Sequence, residues 1–248
     1  MPIALKIPQV QNPKPPTNAT EINVLCAVAV KPVLAELIQI FAKLHDIAVC
    51  AEFDLDDRIS DSILAGEQFD IVVIDSTYAR GLIDHGVVDA ATHALFGRIP
   101  LVIARRDGGP GTVLTEPDEI RSLLLQAKSI AYTSSGSSGR AFLDAIGRLR
   151  IGDGISSCLR PMGIGQPALA LAAGRVDLAV LPMTTINATP DVDVTAIFPP
   201  ALQAGLEIAV FLGKAPANRV EAIRFLNLLA DTGIDAYLAA HGLFRVQG

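Results

Sequence analysis

Residues Leu64-Ala-Gly-Glu-Gln-Phe-Asp-Ile-Val-Val-Ile74 and Leu171-Ala-Ala-Gly-Arg-Val-Asp-Leu-Ala-Val-Leu181 carry one pattern twice. In each, an apolar helical stretch closes on a glycine, an aspartate follows shortly after, and an unbroken β-type run comes next. Glycine just past a helix supplies the left-handed turn that ends it. A continuous aliphatic run of this length reads as a strand covered on both faces. Two such units predict two similar α/β lobes rather than one large sheet. A two-lobed α/β chain works in the cleft between its lobes.

The rest of the chain fits that frame. Strands are expected over 22–28, 47–53, 69–74, 99–104, 129–133, 178–181, 193–197 and 206–212. Helices are expected from Pro32 through Phe41 and over 59–64, 77–85, 117–125, 140–149, 168–173, 218–230 and 234–241. Pro32 suits a first helical turn, where its missing N–H costs little. The alternation predicts an α/β class with largely parallel sheets. The loop Asp107-Gly-Gly-Pro-Gly111 is where the chain is expected to leave the first lobe, and the strands over 193–197 and 206–212 are expected to return to it. The division is then an extended proline-rich arm over 1–20, a first lobe over 21–100 and 202–248, and a second lobe over 101–201.

Composition narrows the function. The 248 residues are half hydrophobic and carry a net charge of −6, so a nucleic-acid footprint is not expected. No apolar run reaches the roughly 18–20 residues of a membrane span. Cys26, Cys50 and Cys158 form no Cys-x-x-Cys pair, and their odd number argues against a disulfide framework. The four histidines are scattered, so no metal site is expected. A nucleophile elbow and a dinucleotide fingerprint are both missing, and no cofactor is expected. The N-terminus lacks a signal peptide's apolar stretch, which reads as cytoplasmic; a leader removed beforehand would make the protein periplasmic.

Open α/β lobes bind ligands beyond the carboxyl ends of their strands, at helix N-termini. That rule selects four loops. The strongest is Thr133-Ser-Ser-Gly-Ser-Ser-Gly-Arg140. There Ser134, Ser135, Ser137 and Ser138 offer hydroxyls, Gly139 permits close approach, and Arg140 can fork onto a carboxylate. The alternative reading of the loop is a serine-rich helix cap and flexible turn, with ligand contact the favoured one. The second is Val28–Lys31, with Ala29, Val30 and Lys31 as candidate contacts and Lys31 either an anion partner or a solvated cation. The third is Asp54-Leu-Asp-Asp57 with Arg58, whose carboxylates could cap a helix, bind a hydroxyl or cation, or act as a base. Asp54 and Asp56 are the candidate bases, and Asp57 and Arg58 candidate contacts. The fourth runs from Pro182 to Thr185, with Pro182, Met183 and Thr184 as candidate contacts.

From about residue 22 to 246 the sequence resembles the molybdate-binding branch of the periplasmic solute-binding proteins. The resemblance rests on Val24-Leu-Cys-Ala-Val-Ala-Val-Lys-Pro-Val-Leu34, on both repeat segments, and on Gly136-Ser-Ser-Gly139. It continues through Pro190-Asp-Val-Asp-Val-Thr-Ala-Ile-Phe-Pro-Pro-Ala-Leu-Gln203. Within that branch the chain looks closest to a subgroup that includes aconitate isomerase. The resemblance implies a type II two-lobed fold, a small anionic ligand, and an ABC-transporter permease as partner if the protein is exported. Two departures bear on the ligand. Ala29 stands where molybdate binders place serine, and Leu55-Asp-Asp57 stands where they place a serine cluster. Carboxylates there repel a doubly charged oxyanion by roughly 1–4 kcal/mol per close pair at effective dielectrics of about 80–20. The expectation is therefore a protein that binds a di- or tricarboxylate. The alternative is a cofactor-independent isomerase performing a 1,3-proton shift. Molybdate or tungstate binding is the weakest reading.

Overall fold

The computed structural model describes residues 21–106 and 111–245. The arm over 1–20, residues 107–110 of the glycine loop, and 246–248 lie outside the described residues. In chain order the elements are β1 (Glu21–Ala27), α1 (Lys31–His45), β2 (Ala48–Asp54), α2 (Asp56–Leu64), β3 (Ile71–Asp75), α3 (Ser76–Asp84) and β4 (Val88–Arg106). Next come α4 (Pro117–Gln126), β5 (Ile130–Thr133), α5 (Gly136–Leu149), α6 (Gly152–Ile155), β6 (Leu159–Met162), α7 (Gln166–Ala172), β7 (Leu178–Pro182) and α8 (Met183–Asn187). The chain closes with β8 (Val192–Ile197), β9 (Gly205–Gly213), α9 (Arg219–Ala230) and α10 (Asp235–Ala240).

Two sheets share one long strand. The first runs β2-β1-β3-β9-β4, and the second runs from β4 through β7 and β5 to β6, with β8 also on β4. The stretch Val88–Pro100 of β4 pairs with β9, and its last six residues pair with β7 and β8. The crossing between lobes is thus made inside β4, at Pro100–Leu101, before the glycine loop begins. The pairing is more mixed than the alternation suggested. β1 is parallel to β2 and β3, and β5 to β6 and β7, but β9 is antiparallel to both its neighbours and β4 to all of its own. The cause is connectivity: β4 carries the chain out of the first lobe and β9 brings it back. A second correction concerns β8. The strand over 193–197 does not return to the first lobe: it lies on β4 in the second sheet, within the 101–201 division, with Phe198 N–H continuing onto Leu101 O; of the two strands only β9 returns.

Both sheets are covered on both faces, which is why their strands read as continuous apolar runs. In β3, Ile71 and Val73 pack with Leu34, Phe41 and Phe225, while Val72 and Ile74 pack with Ile59, Ile63 and Leu82. In β7, Leu178 and Val180 face Phe142 and Ile146, while Ala179 and Leu181 face Ala168 and Leu171. Each of these large side chains contributes about 1.5–3 kcal/mol by leaving water.

The repeat acquires a physical meaning here. Gly66 and Gly174 take φ of 102° and 66°, ending α2 and α7 in the left-handed region. The aspartate that follows ties its strand to the start of the neighbouring parallel strand. Asp70 accepts the Asn23 N–H at 2.7 Å and the Asn218 N–H at 3.1 Å. Asp177 accepts the Lys128 and Ser129 N–H groups at 2.7 and 3.2 Å. The same joint is built once per lobe.

Candidate functional site

A cavity of about 180 Å³ lies where the carboxyl ends of the strands of both lobes meet. The first lobe lines it with Val28, Ala29, Lys31 and Pro32 at the head of α1, Leu55 and Asp56 at the head of α2, and Leu206 of β9. The second lobe contributes Thr133, Ser137 and Ser138 around the start of α5, and Ile164 and Gly165 before α7. Leu181 and Pro182 of β7 and Thr185 of α8 complete the wall. Five helices therefore begin at this cavity. First-turn N–H groups have no intrahelical acceptor, so such ends favour negative charge. Two of them are weakened as anion donors, since Pro32 and Pro167 stand in the first turns of α1 and α7. The wall is mostly aliphatic. Among the described residues Lys31 is the one lysine or arginine on it, and Asp56 the one carboxylate.

Asp56 is the site's unusual group. Its side chain is only 5% exposed. It opens α2, because β2 ends at Asp54 and Leu55 takes the N-cap position with extended backbone. One carboxylate oxygen accepts the Asp75 N–H at 2.9 Å, at the head of α3. The other accepts the Ser137 hydroxyl at 2.9 Å, across the cleft from α5. Burial pushes its carboxyl above the usual carboxylate range. The Asp75 N–H opposes that shift, the neighbouring Asp75 charge adds to it, and the Ser137 hydroxyl opposes it. Asp75 itself is raised by burial, against the hydrogen bonds from Thr77 and the attraction of Arg140.

A second polar contact joins the lobes. Thr184 Oγ1, 1% exposed, donates to the Ala29 carbonyl at 2.6 Å. Together with the Ser137–Asp56 bond it ties the two lobes together at the cavity.

Of the residues singled out by sequence, the structure brings Ala29, Lys31, Asp56, Ser137, Ser138 and Pro182 onto the wall. The others lie off it. Val30 is buried in the first lobe's core and Met183 in the second's, while Thr184 serves the interlobe bond. Asp54 accepts the Leu55 N–H and pairs with Arg58 at 3.4 Å in solvent, and Asp57 accepts the Arg58 N–H. Ser134 and Ser135 are exposed, and the Arg140 guanidinium stacks over the Tyr78 ring at 5.0 Å. The helix expected from Arg140 in fact starts at Gly136, so most of the serine loop is the first turn of α5. Gly139 serves packing rather than ligand approach: a Cβ there would lie 2.1 Å from the Thr133 carbonyl oxygen.

Val28, Leu55, Thr133 and Thr185 belong to the selected loops but were not named as contacts, and sequence reasoning missed Pro32, Ile164, Gly165, Leu181 and Leu206 altogether. Ile164 and Gly165 carried a usable signal, since Gly163-Ile-Gly-Gln-Pro167 marks a helix start. Leu206 carried none, because an antiparallel strand running past a cleft looks like any buried strand. No group of three or more His, Cys, Asp or Glu able to hold a metal occurs among the described residues. The arrangement can hold a small, partly apolar anion between donor-rich helix ends and present one buried carboxylate to it.

The fold recurs in solved structures of low sequence identity. The Azotobacter vinelandii periplasmic molybdate-binding protein matches with a TM-score of 0.76 at 18% identity, over 91% of this chain and 100% of that one. The sulfate-binding protein SubI from Mycobacterium tuberculosis matches with a TM-score of 0.72 at 17% identity, over 92% of this chain and 88% of that one. L-phospholactate-bound PEB3, a Campylobacter jejuni protein, matches with a TM-score of 0.67 at 12% identity, over 91% and 100%. No curated protein matches the sequence. The family model described as bacterial extracellular solute-binding protein matches residues 22–244, nearly the whole described chain. The two-lobed frame, the interlobe cavity and that match agree: this chain belongs to the bacterial extracellular solute-binding protein family.

Proposed function

We propose that this protein binds a small organic carboxylate in the interlobe cavity and closes its lobes around it. The observation that supports this most is the lining itself: an aliphatic wall with Lys31 and the open first turns of α5 and α8 on one small volume. An inorganic dianion calls for a full shell of donors, and Pro32, Pro167 and Asp56 all work against one here. Size narrows the class. A dry cavity of about 150 Å³ holds a benzene ring, so a mono- or dicarboxylate of roughly six to ten non-hydrogen atoms suits this volume better than a tricarboxylate. A fold relative crystallised with L-phospholactate agrees with an organic anion.

A second reading is a proton-shifting isomerase. It is favoured by one feature: a buried carboxyl with raised proton affinity facing the cavity. Delivery of the solute to an ABC-transporter permease follows only if the protein is exported, which fractionation of cells producing the full-length gene product decides.

The test is a thermal-shift screen of mono-, di- and tricarboxylates beside molybdate, tungstate and sulfate, with NMR of each carboxylate after incubation. Stabilisation by a small carboxylate that remains unchanged, weakened by Lys31→Gln, is the expected result. A displaced double bond in the recovered ligand supports the isomerase instead. Stabilisation by oxyanions alone contradicts both.

A further inference from the structure

Asp56 is costly where it sits. A carboxylate excluded from water beside a second carboxylate, at a cavity where helix N-termini converge, spends part of the positive potential those ends supply. A serine there would leave that potential for the ligand. The carboxylate is held in position from both lobes by the Asp75 N–H and the Ser137 hydroxyl. An ionised carboxylate offers about four acceptor positions, so these two bonds leave acceptor capacity toward the cavity it lines.

Resting on the reading above, that the cavity is the solute site, we infer that Asp56 is its specificity-determining residue. It accepts a hydrogen bond from a donor on the solute, a hydroxyl or an ammonium, and it turns away oxyanions that bear no proton. Lys31 and the first turn of α5 then take the solute carboxylate. The solute class becomes a small carboxylate carrying a donor a few bonds away. Discrimination of this kind is strong because a solute lacking the donor leaves a buried charge without its partner.

The experiment is calorimetric titration of the wild-type chain, Asp56→Asn and Asp56→Ser. The matched probes are 2-hydroxybutyrate, 2-aminobutyrate and butyrate, and malate against succinate; sulfate and molybdate are the oxyanion arm. Asp54→Asn, off the cavity wall, is the charge-matched control. Wild type is expected to prefer the donor-bearing member of a pair by about 10- to 100-fold. The hydroxy and amino probes tell which donor is read. Asp56→Asn should reduce that preference to below about threefold, and Asp56→Ser should bind sulfate or molybdate at least about tenfold more tightly than wild type. An unchanged preference in Asp56→Asn overturns the inference, as does equal loss in Asp54→Asn. If no carboxylate binds any form, the functional reading falls, and the oxyanion arm still decides: oxyanion binding gained only on removing Asp56 upholds its excluding role, and no gain overturns it. Melting curves of each variant separate these results from misfolding.

Discussion

Replacing Asp70 with alanine should damage the protein far more than the same change at Asp177, although the two occupy matching places in the repeat. Asp70 is 1% exposed and satisfies two backbone donors from distant parts of the first lobe, Asn23 N–H at 2.7 Å and Asn218 N–H at 3.1 Å. Removing it leaves both donors without an acceptor in a partly buried joint, each costing about 1–3 kcal/mol. Some access of water to the two amides holds the total near the lower half of that range, at about 2–4 kcal/mol. Asp177 makes equivalent bonds to Lys128 and Ser129 on the surface, where water replaces it, so alanine there should cost below about 1 kcal/mol. For a chain of this size each kcal/mol moves Tm by about 2–4 °C, so Asp70→Ala should melt roughly 5–15 °C lower and Asp177→Ala within a few degrees of wild type. Urea titration followed by circular dichroism gives both values. Equal losses at the two sites, or a larger one at Asp177, would refute the reasoning that burial of the joint sets its worth.

Three further outcomes follow from the same geometry. Gly139→Ala should cost about 1–3 kcal/mol, since the new Cβ meets the Thr133 carbonyl at 2.1 Å and α5 must shift; chemical denaturation reads the loss, and full stability would contradict the contact. Thr184→Val keeps the shape but removes the bond to the Ala29 carbonyl, so the closed form should lose about 1–2 kcal/mol. Small-angle scattering should then show a larger radius of gyration without solute, and an unchanged radius would deny that bond a role in closure. Stability should fall as pH rises from about 4, the ordinary carboxylate value, toward the raised value of folded Asp56. In that window the folded state holds more protons than the unfolded one, so deprotonation favours unfolding. Asp56→Asn should flatten the slope in part, since Asp75 is raised as well, and a slope identical to wild type would contradict the burial of Asp56.

Local chemistry in the sequence carried much of this fold. The repeat predicted two α/β units because glycine-terminated helices and doubly buried strands are short-range patterns. What it left open depends on long-range pairing. Nothing in residues 88–98 announces that they are the first half of a strand shared by two sheets, and β8 joins the second lobe through partners more than eighty residues away. The site shows the same division. The loops holding Lys31, Asp56 and Ser137 were readable as candidate ligand contacts because each leads from a strand into a helix. Which carboxylate of Asp54, Asp56 and Asp57 faces the cavity was not, because their spacing suits either solvent or cleft. Packing decides it: Leu55 goes inward as the N-cap, Asp56 follows it into the cleft, and Asp54 is left to Arg58 at the surface.

In the proposed function a solute is held between the lobes. Hydrogen–deuterium exchange with and without the strongest stabiliser of the carboxylate panel tests that directly. Ala29, Lys31, Leu55 and Asp56 in one lobe and Ser137, Ser138 and Thr185 in the other line one cavity, so the segments that hold them should gain protection together. Protection confined to one lobe, or appearing away from these helix starts, would contradict it.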